Sequence, residues 1–332
     1  MFLVILYHSE VYYPVGETSC SWLFAFFRMP FFFFLSGYLF TSDYENFSLK
    51  RKIGQILRGI VWTYLVFTLI LLLPKAYSNG FSAAEGLAQI ALGYASWFVV
   101  ALGVAQLIFA VILKHTKNLK IIFGAMLVSL ACGYVVKQFH AETLPYQLDK
   151  ASITLFYLGL GFFYRIYEDR ISASMKKSVW LLLSTAVLYF GSTYLDSLYL
   201  HTTPNVFGAN EYHNFVLYLL YSLLGIAMML ELIKLLPPIK ALSFIGVNSL
   251  VFYYLNGGAI KILRTVYNRL GLHLPETLTD QAGYMEVLFM AVSACACIAV
   301  VVLLIKKYCP ILTGDKQAFN ALAAKMRLKI EF

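Results

Sequence analysis

The sequence predicts an all-α protein, a polytopic transmembrane helical bundle of about ten spans with both termini in the cytoplasm. Three observations carry that expectation. Of 332 residues, 60% are apolar and 13% charged, whereas a soluble domain is about 45–50% apolar and about 25% charged. Only 26 Lys+Arg and 17 Asp+Glu are present, too few to wet a soluble globule of this length. A soluble enzyme, a disordered chain and a fibrous one are excluded. Second, apolar runs recur along the chain, and about 20 apolar residues cross a bilayer as a helix. Third, 19 of the 26 basic residues follow even-numbered runs, six follow odd-numbered ones, and Arg28 lies inside a run. Cytoplasmic loops carry the excess of Lys and Arg, which orients the bundle. The net charge of +9 is read as this topology and not as a nucleic-acid surface; there is no Gly-rich phosphate loop and no zinc spacing.

The runs follow in order. Residues 1–13 are apolar but too short to span, and they lack the basic start of a signal peptide. They read as the second half of a first span that is truncated in this sequence. The second run is 22–41, followed by a basic stretch with Lys50, Arg51, Lys52 and Arg58. The third is 59–73, ended by Pro74, and 84–95 suits a short interfacial helix. The fourth to eighth runs are 96–113, 121–136, 151–166, 179–195 and 214–233. The ninth is 241–262, followed by a long loop over 263–283, and the tenth is 284–305. Residues 1–305 thus form one integral-membrane domain. The tail 306–332 is basic, cytoplasmic and patterned like a helix lying on the membrane surface. Five cysteines show no disulfide framework. No inverted pair of broken helices marks a secondary transporter.

Ionisable groups inside spans are costly and mark functional positions. His8 lies six residues before Pro14, and Arg28 six residues after Trp22. At 1.5 Å per residue both lie roughly 9 Å below the outer end of the first hairpin, with Glu10 within one turn. An Arg28–Glu10 pair that neutralises two buried charges is one reading. The other is a His8 general base with a cationic neighbour, because a histidine titrates near neutrality and can deprotonate a hydroxyl during acyl transfer. Arg28 would then stabilise developing negative charge. Ser36–Gly37 reads first as a small-residue site for close helix approach, with the Ser36 hydroxyl as a substrate contact or nucleophile as the second reading.

His8 in a first span, followed by Met29-Pro30-Phe31-Phe32-Phe33-Phe34-Leu35-Ser36-Gly37-Tyr38-Leu39 and a basic loop, resembles the membrane-bound acyltransferase family 3. That family includes ten-helix polysaccharide and fucose O-acetylases. Trp97-Phe98-x-x-x-Leu102 and the segment from Gly246 to Leu255, which carries Asn248 and Tyr254, resemble further segments of it. The resemblance implies a catalytic histidine, placed here at His8. The basic residue that usually precedes it by about ten positions would fall before Met1, and the late segment ends in Asn256.

Acyl-CoA is cytoplasmic and carries several phosphates, so Lys50, Arg51, Lys52 and Arg58 are the expected donor-binding residues. Glu10, Ser36, Trp97, Asn248, Tyr254 and Asn256 are expected to line the acceptor path. The outer loop 196–213 offers Asp196, His201, Asn205, Asn210, Glu211 and His213 among aromatics, a composition suited to a sugar. His201 and His213 have no compact ligand spacing, so no metal is expected. The expected activity is O-acyl transfer, acetyl in particular, from acetyl-CoA to a hydroxyl of a cell-surface glycan or lipid-linked sugar, in a bacterial inner membrane. Alternatives are export of a lipid-linked sugar or small molecule, and an inactive relative that serves as an assembly partner.

Overall fold

The computed structural model describes residues 1–11, 22–41, 43–139, 142–174, 178–202, 204, 207, 214–271 and 281–325, and no strand occurs among them. The helices are α1 (Phe2–Val11), α2 (Trp22–Ala25), α3 (Arg28–Tyr38), α4 (Leu49–Ile56), α5 (Trp62–Ile70), α6 (Leu72–Asn79), α7 (Ala83–Ala91), α8 (Trp97–His115) and α9 (Leu119–Phe139). They continue as α10 (Leu148–Ser174), α11 (Val179–Tyr199), α12 (Phe215–Leu235), α13 (Lys240–Val247), α14 (Ser249–Arg269), α15 (Gln281–Tyr308) and α16 (Lys316–Lys325). Among the described residues, six helices are long and apolar enough to cross a membrane: Leu49–Ile70, Trp97–His115, Leu119–Phe139, Val179–Tyr199, Phe215–Leu235 and Gly283–Tyr308. Their outward faces carry exposed large apolar side chains such as Leu69, Val187 and Leu304, as a bilayer requires and water does not favour.

Several expected runs are broken, and proline explains two of the breaks. A proline inside a helix cannot donate to the carbonyl four residues earlier and clashes with it. Pro30 releases the Phe26 carbonyl, and the second run breaks into α2 and α3 at a turn over Phe26 and Phe27. Pro74 releases the Ile70 carbonyl. Instead of ending the run, it starts a new helix, with α5 stopping at Ile70 and α6 beginning at Leu72. Both prolines fall in the first turn of the helix that follows, where no N–H is needed. The ninth run breaks at Asn248, whose side-chain amide donates to the Phe244 carbonyl at 2.7 Å and so competes with the backbone.

Three further expectations change. The basic stretch after the second run is helical, as α4, and joins α5 through a π-helical turn at Leu57–Val61. The loop placed over 263–283 is shorter, because α14 runs on to Arg269 and α15 begins at Gln281. The segment after α15 folds back onto α4 and α5: Arg58 Nε donates to the Gly314 carbonyl at 3.0 Å and Trp62 Nε1 to the Ile311 carbonyl at 2.8 Å. Phe319 of α16 then packs edge-on against Trp62.

Helix α10 is the centre of the packing, in contact with α3, α8 and α9. The approach to α3 is backbone on backbone: a Cβ on Gly37 would overlap the Leu158 carbonyl, and one on Gly161 the Phe34 carbonyl. Small residues at such a seam let helices approach closely within lipid, where van der Waals packing drives association. Across the bundle, the fully buried Tyr157 of α10 shares a 2.7 Å hydrogen bond with Ser222 of α12. Helices α14 and α15 pack together, and α1 lies against both.

A candidate active site between two cavities

Two cavities lie along α5 and α14, one at the start of both helices and one past the end of α5 and along the middle of α14. One, of about 430 Å³, is lined by Gln55, Gly59, Thr63, Gln106, Asn248 and Lys306, among others. It opens beside the π-helical turn, where an extra residue per turn widens the helix, a feature frequent at functional sites. The C-terminal strap contributes Thr313 and Asp315 to its wall. The second cavity, of about 530 Å³, includes His8, Lys75, Ser78, Ser96, Asn256 and Lys261 in its lining.

The two linings adjoin in sequence on α14 and stand about 12 Å of helix rise apart on α5, between Thr63 and Leu71. Val251 lines the first and Tyr253 the second, two residues apart on α14 and therefore separated by roughly 3 Å of rise. On the other wall, Thr63 lines the first and Leu71 the second. Between them Phe67 stacks on Tyr254, with ring centroids 5.3 Å apart and planes 7° from parallel. Next to this pair, the Ser96 hydroxyl donates to the Tyr253 hydroxyl at 3.2 Å. Through Tyr254, the stacked pair thus forms part of the wall of the cavity that holds His8, on the side of α5.

The first hairpin brings its ionisable groups together. Arg28, at the α2–α3 break, places its guanidinium carbon 3.9 Å from the centre of the Tyr7 ring. It lies within electrostatic reach of His8, Glu10 and Tyr218. Its Nε and Nη1 are buried and find no acceptor among the described residues. Arg28 and Glu10 do not line the cavity that His8 lines, so Arg28 faces the histidine through the helix-side cluster and not across the open space. His8 itself is half-buried.

Of the other sequence-predicted positions, Asn256 and Tyr254 line the His8 cavity and Asn248 lines the opposite one. The Asn256 amide donates to the Tyr253 carbonyl, which fixes its side chain. Ser36 lines neither cavity, and its hydroxyl donates to the Phe32 carbonyl one turn earlier at 3.0 Å. Trp97 is also absent from both linings; it stacks on Phe207 at 5.7 Å. The loop expected on the outer face is partly internal where its residues are described. Phe207 is buried, and Asp196 accepts from the Thr202 amide and hydroxyl and from Tyr221. His201 is exposed. His213, Asn205, Asn210 and Glu211 lie outside the described residues.

The four basic residues expected to hold a donor divide in two. Lys52 is buried, donates to the Phe40 carbonyl at 2.7 Å and lies over the Phe40 ring. Arg58 is held by Gly314. Lys50 and Arg51 are exposed. None of the four lines the nearby cavity, which uses Gln55, Ile56, Gly59 and Ile60 of the same stretch instead. A linear sequence marks the segment, whereas the face turned inward depends on the π-turn.

Sequence reasoning passed over Lys75, Ser96, Tyr253 and Lys261. The two lysines figured only as charges after odd-numbered runs. Nothing in their spacing shows that α6 and the later turns of α14 lie side by side. The link is explicit in the fold, where Lys261 Nζ donates to the Ser78 hydroxyl at 3.0 Å. Partial burial holds the Lys75 ammonium below the usual lysine range.

In comparisons with known proteins, a family model described as an acyltransferase domain matches residues 1–306. No curated protein and no solved structure matches.

Proposed function

The chain belongs to acyltransferase family 3, and from that premise we propose that this membrane acyltransferase moves an acetyl group from acetyl-CoA to a hydroxyl of a cell-surface glycan or glycolipid. The observation that supports this reading is a pair of cavities on α5 and α14, of which one has His8 in its lining and the other has no histidine among the described residues. The donor enters the cavity lined by Asn248 and Lys306. The acceptor occupies the cavity lined by His8. On the ten-span reading with cytoplasmic termini, the donor side is the cytoplasm and the acceptor side the outer face of a bacterial inner membrane.

The chemistry follows from the groups present. The neutral His8 imidazole takes the proton of the acceptor hydroxyl, and that oxygen attacks the thioester carbonyl carbon. The C–O bond forms as the C–S bond breaks, and the imidazolium returns its proton to the departing thiolate. A positioned base of this kind contributes about 10²–10⁴-fold. Arg28, poorly satisfied by neighbours, offsets the negative charge that develops on the carbonyl oxygen through the local field. In a variant of the same reaction His8 carries the acetyl group between two half-reactions. The slender pantetheine arm of CoA suits passage beside the Phe67–Tyr254 pair, while the bulky nucleotide stays in the first cavity.

Cell-surface glycans from cells with and without the protein test this reading. Alkali-labile acetyl groups are expected only when the protein is present. Identical acetylation in the two preparations would overturn it. Two cavities in line also fit export of a lipid-linked sugar. In that case the glycan itself, and not its acetylation, would disappear without the protein.

A further inference from the structure

The His8 cavity has a charge that the reaction does not require. Among the described residues, its lining holds Lys75 and Lys261 and no Asp or Glu. Among the described residues neither lysine has a carboxylate within ion-pair distance; the ion pairs given there join Lys137 to Asp149, Arg165 to Glu168 and Lys234 to Glu231. The lysines come from separate elements, α6 and α14, and converge because Lys261 is hydrogen-bonded to Ser78 of α6. Hydroxyl and amide groups of Ser78, Asn79, Ser96 and Asn256 share the same wall. A concave site lined by one sign of charge concentrates ligands of the other sign.

We propose that the acceptor is anionic: a glycan or glycolipid carrying an oxyanion, carboxylate or phosphate, that Lys75 and Lys261 hold so that a neighbouring hydroxyl faces His8. This deepens the acyl-transfer reading and rests on it for the identity of the site, although anion binding itself does not require catalysis. Neutral sugars need only the polar wall. The two ammonium groups have a use only if the ligand brings negative charge. Both lysines are solvent-accessible in the cavity wall, so an anion entering it takes charge-assisted hydrogen bonds from them. Neither lysine contacts His8 in the chemistry above, so both are binding residues and not catalytic ones.

The test is equilibrium binding to the full-length protein in nanodiscs. The probes are octyl β-D-glucoside, octyl β-D-glucuronide and octyl glucosyl phosphate. The expected result is at least tenfold tighter binding of one or both anionic probes than of the neutral one, weakening as salt rises. The carboxylate and phosphate arms identify which oxyanion the site prefers. In the double variant Lys75→Gln/Lys261→Gln the preference falls to within about twofold. Equal binding of the three probes, or a preference that survives in the double variant, overturns the proposal. Transfer of labelled acetyl from acetyl-CoA is measured on the same preparations. Anion preference without any transfer would leave the binding site standing and count against the acyltransferase reading alone.

Discussion

His8→Ala abolishes acetyl transfer while the protein remains folded. The expected loss is about 10²–10⁴-fold in rate, the usual contribution of a positioned general base. The prediction is sharp because His8 is the one imidazole in the cavity lining among the described residues, and an imidazole is the side chain suited to take a hydroxyl proton. His8 is also half-buried at the edge of α1, so removing its ring opens space towards the cavity and leaves the buried Val4, Ile5 and Leu6 face intact. The measurement is the initial rate of label transfer to membrane glycolipid, at protein levels matched by size-exclusion of the solubilised protein. Arg28→Lys and Arg28→Ala should both slow transfer, and less than His8→Ala does, since Arg28 stays outside the cavity lining. A well-folded His8→Ala protein with the wild-type rate would remove the histidine from the mechanism.

Asp149→Ala destabilises the bundle by about 3–5 kcal/mol, and Lys137→Ala does the same. Lys137, in the last turn of α9, and Asp149, in the first turn of α10, form a 3.0 Å ion pair with no exposure of either side chain. Each charge lies at the helix end where the macrodipole favours it. Asp149 also accepts the Leu144 N–H, which ties down the connection before α10. Removing one partner leaves a buried charge uncompensated, the case in which loss is large. Replacing both by apolar residues of similar volume, Lys137→Met with Asp149→Leu, should be far milder, because the desolvation of both ions disappears with their attraction. Thermal unfolding in detergent distinguishes the cases. Single substitutions that leave the midpoint unchanged, or a double substitution as harmful as the two singles added together, would contradict the account.

Much of the architecture is legible in the sequence, because membrane helices announce themselves by composition. The fourth to eighth runs correspond to α8 to α12, within a few residues at each end except that α10 runs eight residues past 166 to Ser174, and the short helix around 84–95 appears as α7, started by a Ser82–Glu85 capping box. The breaks were less visible, although their cause was present: Pro30 and Pro74 act on carbonyls four residues earlier, not at their own positions. The Ser36–Gly37 pair shows both sides of this. Its small size signals a close helix approach, but only the fold shows that the surface met is the Leu158 backbone of α10, with Gly161 making the matching approach to Phe34. Within the site, the level of His8 and Arg28 follows from counting rise along two antiparallel segments. Which residues of α4 face the first cavity, and that Lys75 and Lys261 meet in the second, depends on long-range packing between elements far apart in the chain. Residue spacing carries no record of that.

The most direct test of the central claim uses sealed vesicles with the protein reconstituted in one orientation. Acetyl-CoA labelled in the acetyl group is supplied on the side of the Asn248 cavity, and an octyl glycoside acceptor is confined to the side of His8. The account predicts acetylated acceptor on the His8 side, dependent on acetyl-CoA and absent with His8→Ala. Movement of the glycoside itself across the bilayer, at a rate indifferent to acetyl-CoA, would contradict it.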